Sequence, residues 1–490
     1  MKVIISYPPL SGDGCPLLSQ NRQFQWFHNP TYIYPVVPAT AATFLKQAGH
    51  DVIWNDAIAE CWDYQKYVKF LLDEKPDLIA IETKTPVIKQ HWVIINDIKE
   101  LIPDTKVVLF GDHVTALPEE SLLNSKVDYV LAGGDYDFLL LNLCNHLEKG
   151  IDLEPGIWFR ANGEIKNTGK FVLKHDLDSL PFIDRDLTKW KLYAYKNGNF
   201  KRTPGTYIMA GRDCWWRKEG GCKFCAWTVL YPNYRVRSVK NVLDEIGFLI
   251  ERYKIREIMD DTGTFPAGRW LGDFCNGMIE RGYNNKIRFD CNLRFGNLTF
   301  EDYKLMAKAG FRFLLYGLES ANQRTIDLLN KGIKINQIEE ELRVAKMANA
   351  EVGGNLEPHV TCMVGYPWET KEEAENTIEM TRSLFSKGLI DTLQATIVIP
   401  YPGTKLFEEC EQNNWLKTRD WLRYDMREPV MIIPMKDEEV LNLTKGIYKS
   451  FMTPKFLLRK MISIRSLDDF KFLLRSAKAV FGHLTDFSSR

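Results

Sequence analysis

Short apolar runs alternate with longer amphipathic stretches over residues 1–150. VIISY (Val3–Tyr7), DVIW (Asp51–Trp54), DLIAIET (Asp77–Thr83), KVVLFG (Lys106–Gly111) and DYVLAGG (Asp128–Gly134) are continuous apolar segments. Strands buried on both faces of a parallel sheet need that pattern. Between them, Pro38–Ala48, Tyr64–Glu74, Lys89–Ile102 and Phe138–Glu148 carry apolar residues at helical spacing. Two of these end near Gly49 and Gly150, and two are followed by Pro76 and Pro103, as helix stops require. The alternation predicts a doubly wound α/β domain over 1–150. In such a sheet a ligand sits off the carboxyl ends of the strands, here at Pro8–Gly14, Thr83–Pro86, Gly111–Thr115 and Gly133–Asp135.

Residues 151–204 hold short strand-like pieces (GIWFR, GEIKN) and a Pro/Asp-rich stretch, and read as a connector. A second alternation runs through 205–410: TYIMAG (Thr206–Gly211), REIMDD (Arg256–Asp261), IRFDCNLR (Ile287–Arg294), FRFLLYGLES (Phe311–Ser320), HVTCMVGYP (His359–Pro367) and DTLQATIVIPYPGT (Asp391–Thr404). Helical stretches such as Val239–Tyr253 and Gln337–Ala348 separate these runs. Six strand-helix units predict a partial (β/α)6 barrel of the TIM kind, with its chemistry at the carboxyl ends of the strands. The tail, 411–490, is helical in composition. From Phe451 onward it is basic, with Lys455, Arg459, Lys460, Arg465, Lys471, Arg475, Lys478 and Arg490 against Asp468, Asp469 and Asp486. One reading is a surface helix packing its apolar face on the barrel. The other is a peripheral contact with a membrane or a lipid-like substrate.

Composition narrows the classes. With 490 residues, 45% of them hydrophobic, the chain can bury more than one core. Lys+Arg and Asp+Glu are each 64, so nothing in the charge asks for nucleic acid as a partner. No apolar run approaches the roughly 18 to 20 residues that span a bilayer. The expected location is the cytoplasm. Phe24, Trp26, Phe27, Tyr32 and Tyr34 make an aromatic group near the start, suited to a bulky ligand or to interdomain packing.

Seven of the ten cysteines stand apart, whereas Cys214, Cys222 and Cys225 fall in GRDCWWRKEGGCKFCAW, a C-x7-C-x2-C pattern directly after the first barrel strand. In a reducing compartment such a cluster reads as a metal site before a disulfide. Three thiolates can hold three irons of a 4Fe-4S cube and leave the fourth iron open, and Gly220 and Gly221 supply the turn that wraps it. The alternative is a zinc knuckle completed by a distant ligand such as Cys291 or His359.

With these motifs in order, the chain resembles the radical S-adenosylmethionine enzymes that carry an N-terminal cobalamin-binding domain. The resemblance rests on YPVVPATAATFLKQAG (Tyr34–Gly49), GDHVTALPEE (Gly111–Glu120), the three cysteines with Phe224 before the last, MDDTGTF (259–265), LMAKAGFRFLLYGLESANQRTIDLLNKG (305–332), MVGYPWET (363–370) and IPYPGT (399–404). Two features depart from the family pattern. The first spacer between cysteines is four residues longer than the family's C-x3-C-x2-C, which should bulge the loop while still allowing three ligands. The first domain has no D-x-H-x-x-G, so a cobalamin there would lack a histidine lower ligand.

The resemblance implies a 4Fe-4S cluster on Cys214, Cys222 and Cys225. It implies S-adenosylmethionine near Phe224, Asp260, Asp261, Arg294, Glu319, Ser320 and Gly365, with a side chain at Gly365 crowding the adenine. It also implies cobalamin near Thr83, Lys84, Thr85, Gly111, His113, Gly133 and Gly134. By this resemblance the open iron chelates S-adenosylmethionine, one electron releases a 5'-deoxyadenosyl radical, and methylcobalamin methylates an unactivated carbon of a small molecule, lipid or natural product. An electron donor such as flavodoxin or ferredoxin is implied as a partner. Alternatives are a cobalamin-dependent cyclisation, ring contraction or rearrangement without methyl transfer and, from another class, a non-catalytic corrinoid or iron-sulfur binding protein. No catalytic acid or base is assigned.

Overall fold

The computed structural model describes residues 1–12, 14–16, 26–27, 31–450, 458, 461–462, 464 and 466–486. Phe451, Lys455, Arg459, Lys460, Arg465 and Arg490 of the basic tail, and Phe24 of the aromatic group, lie outside the described residues.

Strands β1 (Lys2–Tyr7), β2 (Asp51–Asp56), β3 (Leu78–Glu82), β4 (Lys106–Phe110) and β5 (Tyr129–Leu131) pair in parallel in the order β2-β1-β3-β4-β5. Helices α1 (Val36–Gln47), α2 (Tyr64–Glu74) and α3 (Ile88–Leu101) cross between the first four strands, two short helices, Asp112–Ala116 and Pro118–Asn124, link β4 to β5, and α4 (Tyr136–Lys149) follows β5. Every residue of β3 is buried, which is why it reads as an unbroken apolar run. The chain steps from β1 out to β2 and returns on the other side of β1 as β3. The strand order therefore switches between β1 and β3, where such folds open a ligand crevice at the carboxyl ends. Strands β6 (Ile157–Ala161) and β7 (Glu164–Asn167) then extend this sheet antiparallel beyond β5. Part of the predicted connector thus belongs to the first sheet. Arg160, Glu164, Lys166 and Asn167 are exposed, so the strand-like pieces GIWFR and GEIKN form a half-solvated edge whose pairing partner the chain order alone does not give.

The second sheet is parallel and runs in sequence order: β8 (Gly205–Ile208), β9 (Glu257–Asp260), β10 (Arg288–Leu293), β11 (Phe311–Glu319), β12 (Glu357–Val364) and β13 (Thr392–Ile397). It is an open (β/α)6 barrel with β8 and β13 at its edges. Helices α5 (Val239–Tyr253), α6 (Arg269–Glu280), α7 (Phe300–Lys308), α8 (Ile335–Glu351) and α9 (Lys371–Ser386) form its outer layer. Capping boxes at Thr299/Asp302 and Thr370/Glu373 set the starts of α7 and α9. At the amino-terminal end of the strands, buried Arg312 pairs with Glu257 (2.6 Å), Asp290 (3.1 Å) and Glu357 (2.8 Å) and plugs the barrel floor.

Two tail helices complete the barrel. In α10 (Asp437–Ser450), the Tyr448 hydroxyl donates to the Ala395 carbonyl (2.9 Å) and accepts from its N–H (3.0 Å), occupying backbone groups of edge strand β13. Helix α11 (Leu467–Asp486) lies across the floor, where Asp468 meets Arg256 at 2.7 Å. No helix of the described residues is long and apolar enough to cross a membrane.

Candidate functional site

The cysteine loop leaves the barrel at the end of β8 and is held from two sides. On one side is the loop after β9. Asp260 accepts the N–H groups of Ala210 (2.6 Å) and Thr262 (3.0 Å), and the Thr262 hydroxyl accepts the N–H of Gly211 (2.9 Å). The Gly263 N–H then reaches the Asp213 carbonyl (3.0 Å), and the Thr264 hydroxyl lies 3.0 Å from the Cys214 sulfur. Asp260 is thus spent on the loop backbone, and burial pushes its carboxyl up to about 6. A Cβ on Gly263 would stand 2.8 Å from the Asp213 oxygen and 3.3 Å from the Cys214 Cβ. Gly263→Ala is therefore expected to displace Cys214 at a cost of about 1 to 3 kcal/mol. Iron retained per chain after anaerobic desalting should fall, and full retention would show that the loop tolerates the methyl group.

On the other side is the segment after β11. Asn330 donates its side-chain amide to the carbonyls of Glu219 (2.8 Å) and Gly221 (2.9 Å) and accepts the indole N–H of Trp216 (2.7 Å) at its own carbonyl. The Arg294 guanidinium lies 4.3 Å from the Trp216 ring centroid, donates to the Cys222 sulfur (3.6 Å) and bonds the Lys331 carbonyl. The four extra residues of the first spacer are therefore clasped between Arg294 and Asn330 instead of bulging freely. Gly220 and Gly221 have φ of 90° and 73°, so the turn between Cys214 and Cys222 needs glycine.

All three thiols are half-buried. Burial pushes those of Cys214 and Cys222 up and the neighbouring Cys225 adds to this, while Arg294 pulls both down and Lys331 also pulls on Cys222. Sulfurs that feel one another and two cations suit an anionic cluster. No three His, Cys, Asp or Glu side chains among the described residues close around a point as ligands of a single ion would. A cube, whose irons sit apart, asks only that the thiols face one shared space. Cys291, a candidate fourth zinc ligand, is fully buried and lies near Cys275 of α6, on the helix side of the sheet.

Strand register arranges the inward side chains in levels. Asn292, Leu315, His359 and Thr392 pair across one level, and Gly317, Thr361 and Gln394 across the next towards the mouth. Asp261, one residue past the Asp260–Cys291 pair, comes level with Asn292 and is buried. At the mouth, Glu319 (φ 67°) accepts from the buried Lys331 ammonium (2.8 Å) and from Thr361 (3.4 Å). A Cβ on Gly317 would come 2.3 Å from the Glu319 carboxylate, so glycine there makes room for this pair. The Phe224 ring centroid is 5.8 Å from the same ammonium, and the ring packs against an apolar cluster that includes Met363 and Tyr366. Ser320 turns its hydroxyl to the Asn322 N–H (3.2 Å). Gly365 has φ 99°, and a Cβ there would meet Val440 of α10 at 3.3 Å, so the tail helix backs this position.

Sequence reasoning missed Lys331, Asn330, Thr264 and the interior role of His359, which it weighed only as a zinc ligand. His359 bonds Thr392 through Nδ1 (2.9 Å), stacks near Phe313 and leaves Nε2 buried without a partner. Burial, with Arg312 nearby, holds its pKa down to about 3, so the ring is neutral at physiological pH. The pattern within HVTCMV marks only a strand; register shows the inward face.

In the first sheet, Thr83, Lys84 and Thr85 follow β3 at the switch point and are buried. Thr83 bonds His91 (2.7 Å), and the Lys84 ammonium stands 3.5 Å from Asp112 and 4.0 Å from Glu82. His113 is tied at both ring nitrogens, to Thr85 (3.2 Å) and Glu120 (2.9 Å). Its ring is therefore fixed in orientation. Gly111 (φ 128°) passes the Thr83 carbonyl, which a Cβ would meet at 2.3 Å. The Gly133 N–H donates to the Thr115 hydroxyl (3.0 Å), and Gly134 lies under the Tyr231 ring, 2.0 Å from where its Cβ would be. The end of the first sheet thus abuts the barrel beside the cysteine loop.

An ion network joins the two. Arg212, two residues before Cys214, reaches Asp135 (2.8 Å) and Asp137 (2.5 Å), both fully buried. Arg235 (2.6 Å) and His175 (2.9 Å) also bind Asp135. Against the effect of burial, these cations hold the Asp135 carboxyl far below the usual range. Against burial likewise, Asp135 and Glu154 raise His175 to about 9.

Residues 210–381 match the family model described as the Radical SAM superfamily. An uncharacterised methyltransferase of Pyrococcus horikoshii is 28% identical over 417 residues, covering 84% of this chain and 86% of its own. An anaerobic magnesium-protoporphyrin IX monomethyl ester cyclase of Cereibacter sphaeroides is 27% identical over 398 residues, covering 79% of this chain and 61% of its own. In fold, the chain is similar to OxsB, a cobalamin-dependent S-adenosylmethionine radical enzyme solved with aqua-cobalamin and S-adenosylmethionine bound. The TM-score is 0.69 at 15% identity, over 98% of this chain and 71% of that one.

Proposed function

We propose that this chain, whose residues 210–381 match the Radical SAM superfamily, is a radical S-adenosylmethionine enzyme with an N-terminal cobalamin-binding domain and that it methylates an unactivated carbon of a small-molecule, lipid or natural-product substrate. The observation that carries this reading is the cysteine trio beside the Glu319–Lys331 pair at the barrel mouth. When bound, a three-thiolate 4Fe-4S cube and cobalamin supply the electron that cleaves S-adenosylmethionine and a carrier for the methyl group.

The residues present fit the cluster. Cys214, Cys222 and Cys225 would hold it, with Arg294 and Lys331 offsetting thiolate charge. Lys331 holds the Glu319 carboxylate in place at the mouth, where it can accept from the ribose or ammonium of S-adenosylmethionine. Phe224 and Met363 give an apolar wall that keeps water from a reactive centre. His359, neutral and with Nε2 unpartnered, can exchange one hydrogen bond with a substrate in the interior. Cobalamin is assigned to the switch point, where Thr83, Lys84 and Thr85 can meet its carboxamides; His113, engaged at both nitrogens, is not a cobalt ligand in this arrangement. The reading includes a flavodoxin or ferredoxin as electron donor and a reducing cytoplasmic setting.

The test is anaerobic reconstitution with iron, sulfide and hydroxocobalamin, then spectra, iron counting and product analysis with S-adenosylmethionine and a reductant. Methyl transfer should yield S-adenosylhomocysteine together with 5'-deoxyadenosine. The likeness to the cyclase favours a second reading, cyclisation or rearrangement, which would yield 5'-deoxyadenosine with little S-adenosylhomocysteine. A chain that takes up neither cluster nor corrinoid would refute both.

A further inference from the structure

Helix α11 meets the protein through a face that carries ion pairs and Phe472, and leaves its other apolar side chains turned away. Asp468 pairs with Arg202 (3.3 Å) and Arg256 (2.7 Å), and Asp469 with Lys201 (3.4 Å). Arg475 donates to the Phe200 carbonyl (2.8 Å), and the Phe472 ring centroid lies 5.8 Å from the Arg312 guanidinium. Positions 468, 469, 472 and 475 form one helical face, so the neighbouring face must point away from the barrel. There Leu467, Phe470 and Leu474 are 67%, 47% and 56% exposed. Leu458, Met461 and Ile462, just before the helix, are 55%, 56% and 72% exposed. An apolar stripe of this kind, left towards water on purpose by the ion pairs behind it, marks an interaction surface.

Charge identifies the occupant. Between 455 and 478 the chain has seven basic residues and two acidic ones, Asp468 and Asp469, and both acids are turned onto the barrel. Lys471 and Lys478 are exposed beside the apolar stripe. Apolar side chains rimmed by lysines match the acyl boundary and phosphate layer of an anionic bilayer. A second copy would bring the same lysines face to face across a two-fold contact, where they repel. The helix does not span a bilayer, so it would lie in the plane of the interface. It covers the floor of the barrel, at the opposite end of the strands from the cysteine loop, and docking there leaves the mouth open.

We propose that the outward face of α11, with the exposed apolar residues that precede it, docks this protein peripherally on anionic lipid bilayers. The proposal is independent of the reaction assigned above. The full-length, cofactor-loaded protein should co-sediment with vesicles of phosphatidylcholine mixed with phosphatidylglycerol, at least about ten-fold better than with phosphatidylcholine alone, and salt should release it. Lys471→Glu combined with Lys478→Glu should lower vesicle binding about ten-fold or more. Phe470→Ser should also weaken it, with an unchanged circular dichroism spectrum as the folding control. Absence of sedimentation with either vesicle, or equal sedimentation with both, overturns the proposal. So does a concentration-dependent dimer in solution that Phe470→Asp dissolves, which would assign the stripe to a second copy.

Discussion

Replacing any one of Cys214, Cys222 or Cys225 by Ala is expected to reduce 5'-deoxyadenosine formation to the level of an enzyme-free control. Each thiol is one corner of a three-point support, and two thiolates hold a cube too weakly to keep it through purification. Iron counting and the visible absorption of the reconstituted variants report the loss directly. Cys61→Ala and Cys144→Ala serve as contrasts. Cys61 is exposed, and its loss should change stability by no more than about 0.5 kcal/mol. Cys144 is fully buried in the first core, so removing its sulfur should cost about 1 kcal/mol and leave the iron content intact. Iron retained by a variant of the trio, or lost in Cys144→Ala, would overturn the assignment of the ligands.

Removal of Arg212 should produce the largest loss of stability. Arg212→Leu strips Asp137 of its guanidinium and leaves Asp135 to Arg235 and His175, with both carboxylates fully buried. Breaking a buried pair from one side costs about 3 to 5 kcal/mol, because the remaining charge is uncompensated. Thermal unfolding should show a lowered Tm, and Arg212→Leu combined with Asp137→Leu should recover part of it. A single variant as stable as the parent would mean that the network contributes little.

The same network sets a pH window. Asp135 is held low, so its contribution is present above the unfolded carboxylate value near ~3.9 and is lost as pH falls through the acid range. His175 is raised to about 9, so its contribution is whole below the unfolded value near ~6.5 and is lost as pH rises through 9. Tm should therefore decline between neutral pH and pH 10, and His175→Gln should flatten that alkaline slope.

The legible features were those whose cause is local. A strand buried on both faces must be apolar throughout, so β1, β3 and β11 announce themselves within a few residues, and helix starts such as Thr370 carry their own caps. The cysteine spacing was legible for the same reason, since thiols on one loop are neighbours in the chain. The strand-like pieces of β6 and β7 were legible too, but their attachment to the edge of the first sheet was not, because a half-solvated edge has a mixed pattern that a connector shares.

The candidate site was legible in proportion to how many of its residues act through the loop on which they sit. Glu319 and Arg294 could be placed at strand ends from the sequence. That Lys331 neutralises one, and that the other grips Cys222, depends on segments far apart in the chain. Asp260 and His113 illustrate the same point: their hydrogen bonds to the Ala210 N–H and to Glu120 come from segments that the local pattern does not connect.

The order of apolar runs and the three closely spaced thiols are written in the sequence itself, and they determine two largely parallel sheets and a thiol-bearing loop after the first barrel strand. Which side of α11 faces the barrel, which carboxylates Arg212 reaches and which cations surround the cysteines were decided only in the tertiary structure. Periodicity specifies that a face exists, whereas long-range charge and register select what that face meets.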